Sequence, residues 1–164
     1  METNVDWQTV FQMQRKLTQH IAENYPVQDG EDRVKKKAFA LMTEVAECGN
    51  EEKSCFKFWK ANPIPNHEEM LEEHVDIVHF VADIGIEMGI KDYKLKPVKE
   101  DVLGLFAGTM YLAYLLAYGK FNVFDDLISS VDELGGKLGF TPEDIARAHK
   151  RKNEINYSRQ ASGY

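Results

Sequence analysis

EEMLEEHVDIVHFVADIGIEM, Glu68 to Met88, is the stretch that decides the fold class. Its apolar residues Met70, Ile77, Val81, Ile84 and Met88 recur with helical spacing, which predicts a helix with one buried stripe. The same spacing continues outward in both directions. Upstream, Asn62-Pro63-Ile64-Pro65-Asn66 is the clearest breaker in the chain. Before it, Val34, Ala38, Leu41, Val45 and Cys48 mark a second helix. Val10, Met13 or Gln14, Leu17 and Ile21 mark a first, ending near Tyr25-Pro26 ahead of a turn at Gln28-Asp29-Gly30. Downstream, Pro97 precedes an apolar fourth helix, and a fifth runs from about Phe124 to Leu138, where Gly135-Gly136 and Gly139 are expected to weaken its end. Thr141-Pro142-Glu143-Asp144 offers an N-cap, a proline at the first helical position and acids in the first turn, so a last helix starts there and reaches towards Arg159. Strand signals are nearly absent. The expectation is an all-α bundle of five to six helices forming one domain over residues 1–164.

The composition fits that expectation and narrows the function. A chain of 164 residues with 43% hydrophobic residues can fill a single core. Lys+Arg 20 against Asp+Glu 27 gives a net charge of -7, which argues against a nucleic-acid polymer as partner. An acidic protein that handles phosphates needs a metal or a local basic patch. Cys48 and Cys55 fit neither a disulfide scaffold nor a zinc spacing and read as reduced thiols, so a cytoplasmic location is expected. Residues Met1 to Asp6 lack the pattern of a secretory signal. Val102 to Tyr118 is strongly apolar but shorter than the roughly 20 residues that span a bilayer. It is expected to be a core or subunit-interface helix, with no membrane partner.

Glu44 and Glu47 stand three residues apart on the second helix, within about 60° of each other on the flank of its apolar stripe. Glu51 falls between them, one turn on. Glu73 and Asp76 repeat the spacing on the third helix. Acids beside a stripe also describe the solvated border of any amphipathic helix. The two pairs together say more, because the proline-rich break lets their helices pack and brings four carboxylates to one place. Carboxylates about 4 Å apart repel by several kcal/mol at an effective dielectric near 20, so such a cluster must take up protons or cations. An all-oxygen site suits Mg2+ or Mn2+ rather than zinc. A di-iron bundle needs Glu-x-x-His on two helices, and only Asp76-x-x-His79 comes near that pattern.

Phe80 shares the flank of Glu73 and Asp76, where an aromatic ring can stack on a base or simply pack in the core. His79 lies further round, as a buried histidine or a ligand. Phe58, Trp59 and Lys60 follow the second helix, as core anchors or as the mouth of a phosphate site. On the last helix His149, Lys152, Asn153, Asn156 and Arg159 fall within an arc of roughly 120°. Asparagine is a poor helix former, so two at this spacing point to a polar face that binds phosphates and a sugar.

These segments resemble the all-α, dimeric dUTPases of the MazG-like nucleoside-triphosphate pyrophosphatase superfamily. The resemblance is carried by Glu44-Val45-Ala46-Glu47, Phe58-Trp59-Lys60, Glu73-His74-Val75-Asp76, Val78-His79-Phe80 and the tail from Lys152 to Tyr164, which reads K-N-x-x-N-x-x-R-Q-x-x-G-Y. It implies a four-helix catalytic core and Mg2+-dependent hydrolysis of dUTP to dUMP and pyrophosphate, with dUDP as a further substrate. Glu44, Glu47, Glu73 and Asp76 match the family's metal-binding acids, with Glu44 or Glu47 as general base. Trp59 and Lys60 lie in a matching segment and count as substrate-binding candidates. Lys152, Asn153, Asn156 and Arg159 match phosphate and sugar contacts, and His79 and Phe80 match the surroundings of the uracil. Gln14 resembles a first-helix amide that reads the base, although many members carry asparagine four residues later, where this chain has Thr18. The resemblance also implies a homodimer. The alternatives are a related pyrophosphohydrolase acting on dCTP or a modified nucleotide, and a non-catalytic helical interaction module.

Overall fold

The computed structural model describes residues 3–162. Among them are six α-helices, one short 3-10 turn and no strand, so the expected all-α bundle is observed. The helices are α1 (Trp7–Asn24), α2 (Arg33–Glu52), α3 (His67–Glu87), α4 (Val102–Ala117), α5 (Phe124–Lys137) and α6 (Pro142–Ala161).

Helix starts follow from local side-chain chemistry. Asp6, Asp32, Asn66, Asp101 and Thr141 each accept a hydrogen bond from the backbone N–H three residues on. Each cap satisfies a donor that the helix itself leaves open, for about 1 kcal/mol. At α6 the bond is reciprocated by Asp144, which completes a capping box.

α3 is the axis of the bundle and packs against α1, α2, α5 and α6, while α2 also packs on α4 and α4 on α5. Its buried surface is wider than the single stripe expected, because Val75, Val78 and Ala82 join Met70, Ile77, Val81 and Ile84 in the core. A helix enclosed on several sides needs apolar residues beyond one face.

The fifth helix ends close to where it was expected, at Lys137. Gly135 and Gly136 lie in its last turn, and they also let neighbours approach. A Cβ at Gly135 would stand 2.8 Å from Nε2 of His74, and one at Gly136 would stand 2.7 Å from Nδ2 of Asn4. Gly139, at φ +84, follows the end of the helix in the left-handed region. Asp132 of α5 fastens the N-terminal segment by accepting from Asn4 N at 3.2 Å, Val5 N at 3.0 Å and Trp7 Nε1 at 3.0 Å.

α4 buries Leu105, Phe106, Ala113 and Leu116 but leaves Leu103, Tyr111 and Tyr114 exposed, together with Tyr118 just beyond its end. No helix among the described residues is long and apolar enough to cross a membrane.

Candidate active site

The packing of α2 along α3 turns two sequence pairs into one cluster. One carboxylate oxygen each from Glu44, Glu47 and Glu73 lies within 4.8 Å of the others. Burial, and then the neighbouring charges of Asp76, Glu47 and Glu73, push the Glu44 carboxyl up to about 7, with Lys152 opposing. Burial, followed by Asp76 and Glu47, raises Glu73 as well.

Asp76 is held differently. Its Oδ2 is ion-paired with Nζ of Lys152, which α6 delivers, and its Oδ1 lies 3.9 Å from Nδ1 of His79. Burial still outweighs the lysine and raises its carboxyl above the usual range. The four predicted acids thus divide into three that crowd together and one that is joined to a cation. Glu51 stands apart from the cluster, 3.7 Å from Lys53.

Beside the cluster is a cavity of about 280 Å³ lined by α1, α2, α3 and α6. Glu44 and Asp76 form its acidic end, and Lys152, Asn156 and Arg159 line it from α6. Gln14 closes it from α1, and His79 and Phe80 from α3. An acidic end beside a basic wall can bind a metal-complexed phosphate chain, while a half-apolar interior can take a flat ring.

The other predicted residues lie elsewhere. Asn153 is buried and does not line the cavity, and its Nδ2 has no hydrogen-bond partner among the described residues. Trp59 and Lys60 are exposed on the α2–α3 connection, outside the cavity, with the Trp59 ring edge-on to Phe56 and Phe58. His149 turns inward, and its ring meets that of His79 at a centroid distance of 4.3 Å. Burial lowers His149 to about 4 and holds His79 well below its ordinary range, so this pair is neutral near pH 7. Gly163 and Tyr164 of the tail motif fall outside the described residues.

One polar residue of the cavity wall escaped the sequence reading, and it is the partner of Thr18. Asp83 lines the cavity, and Thr18 donates to it at 2.6 Å. A signal for Asp83 was present, because it extends the three-and-four spacing of Glu73, Asp76 and Phe80 along one face. No curated protein matches this chain. A family model described as dUTPase matches residues 6–164.

Proposed function

We propose that this chain, which belongs to the dUTPase family and is a nucleoside-triphosphate pyrophosphohydrolase, hydrolyses dUTP to dUMP and pyrophosphate with Mg2+ bound at its acid cluster. dUDP is a second substrate in this reading. The observation that carries the metal requirement is the cluster itself. Three carboxylate oxygens lie within 4.8 Å of one another, and Lys152, the cation that opposes the raised Glu44, is itself paired with Asp76. Such a donor set, all oxygen and mutually repelling, fits a hard divalent ion.

Glu44, Glu47 and Glu73 would hold Mg2+, with Asp76 at the edge of the set. When bound, the ion neutralises phosphate charge and acidifies a water molecule. Glu44 or Glu47 is the acid placed to accept the proton of that water. Lys152 faces the phosphate path from α6 and stabilises negative charge there, as does Arg159. Phe80 and Gln14 enclose the base end, where a ring can stack and its edge can be read. Neutral His79 adds bulk to the same wall without adding charge.

A homodimer belongs to this reading. The exposed aromatic side of α4, with Tyr111, Tyr114 and Tyr118, continues onto exposed Phe39 and Lys35 of α2, and the Lys35 ammonium lies 5.2 Å from the Tyr118 ring centroid. A second copy of the chain would cover that apolar surface.

The deciding experiment is kcat/KM for dUTP, dCTP and dTTP with and without Mg2+, with the products identified. The reading expects dUMP and pyrophosphate, a preference for dUTP, and loss of turnover without metal. Equal values for dUTP and dCTP would replace it with a broader pyrophosphohydrolase.

A further inference from the structure

Gln14 is 4% exposed and sits on the cavity wall. Its Nε2 donates to Oγ1 of Thr18, one turn along α1, in a long hydrogen bond of 3.4 Å. Its Oε1 has no partner among the described residues. Thr18 Oγ1 donates in turn to Oδ1 of Asp83 on α3, at 2.6 Å. The other oxygen of Asp83 lies 3.1 Å from Nζ of Lys37 on α2, which also pairs with Glu87 at 2.7 Å.

The order of donors in this chain is fixed by chemistry. An ionised carboxylate only accepts hydrogen bonds, and an ammonium only donates them. Asp83 next to Lys37 therefore takes the single proton of the Thr18 hydroxyl, and Thr18 can offer Gln14 nothing but a lone pair. The Gln14 amide must turn its NH2 group towards Thr18. The reverse orientation would set its carbonyl oxygen against the Thr18 oxygen, acceptor against acceptor, in a buried place. What remains for a ligand is the carbonyl oxygen.

We propose that Lys37, Asp83 and Thr18 act as a one-way relay that locks the Gln14 amide, so that the cavity presents an acceptor and selects a base with a ring N–H over one with a ring lone pair. Uracil carries that N–H at the position where cytosine carries the lone pair. Gln14 is the contact residue, and Thr18, Asp83 and Lys37 are positioning residues on three different helices. The inference rests on the dUTP reading above and adds the origin of its selectivity. It also gives the hydroxyl at position 18 a defined role. Once its proton is committed it has only one way to face Gln14.

The test compares kcat/KM for dUTP and dCTP in the wild type, Asp83→Asn, Thr18→Val and Thr18→Ser, with circular dichroism confirming the fold of each. Asp83→Asn can donate to Thr18, which releases the hydroxyl proton towards Gln14 and frees the amide to turn. Thr18→Val removes the relay. Both are expected to lower the dUTP/dCTP ratio by roughly tenfold to a hundredfold, mainly through KM. Thr18→Ser preserves both bonds and should hold the ratio near the wild-type value. A merely structural role would depress both substrates together and leave the ratio unmoved. If the wild type prefers dUTP while Asp83→Asn and Thr18→Val keep its ratio, the relay is wrong and the dUTP reading stands. A wild type without preference for dUTP overturns the reading beneath it, and the relay with it.

Discussion

Asp132, buried in α5, and Glu44, half-buried in α2, are carboxylates provided for in opposite ways. Asp132 receives three hydrogen bonds from the N-terminal segment, two of them from backbone N–H groups and one from the Trp7 indole. Partial burial, and then the charges of Asp76, Glu47 and Glu73 around it, push the Glu44 carboxyl up to about 7. A buried acid whose donors are supplied by the chain serves the fold. A half-buried acid whose neighbours are more acids is favoured by a proton or a cation, which makes it a candidate for function.

The largest effect expected from this contrast is on turnover. Glu47→Ala or Glu73→Ala should lower kcat/KM for dUTP by about two to four orders of magnitude, with the far-ultraviolet spectrum still helical. Wild-type turnover in either variant would break the contrast on its functional side.

Asp132→Ala should do the reverse. It leaves buried donors of Asn4, Val5 and Trp7 without an acceptor, costing about 2–4 kcal/mol and roughly 5–15 °C in Tm. Turnover per folded molecule should stay close to wild type. A thermal melt and an assay on the same sample check both halves.

The smallest effect concerns pH in metal-free protein. Glu44 holds its proton to about 7 in the fold, against 4.5 ordinarily. Its contribution to stability is therefore present below pH 4.5 and is lost as the pH rises through 7. Glu44→Gln stays neutral and has no such slope. By pH 8 it should be more stable than the wild type by about 1 kcal/mol, after allowance for solvent screening. Denaturant titrations with chelator at pH 5 and pH 8 measure the difference.

Features governed by local chemistry were legible in the sequence, and those that depend on distant packing were not. The start of α6 could be read from Thr141-Pro142-Glu143-Asp144 because capping involves only neighbouring residues. Glu44, Glu47 and Glu73 were legible because helical spacing puts each beside a core stripe, and the two stripes had to meet. The close approach of His74 to Gly135 and of Asn4 to Gly136 was not legible, because it depends on tertiary packing. The ion pair of Asp76 with Lys152 depends on where α6 docks. The Thr18–Asp83 bond joins residues far apart in the chain, and no local pattern announces it. Trp59 and Lys60 resemble site residues in sequence, yet within a single chain they stay exposed on the α2–α3 connection and do not line the cavity.

The most direct test of the central claim is calorimetric titration of Mn2+ or Mg2+ into wild type and into a variant carrying Glu44→Gln, Glu47→Gln and Glu73→Gln, without nucleotide. Repeating it in buffers of different ionisation enthalpy counts the protons released. The wild type should bind the ion and release protons near pH 7, because Glu44 must give up a proton held to about 7. The triple variant should bind none at that site. Absence of binding in the wild type, or equal binding in the variant, would contradict the account.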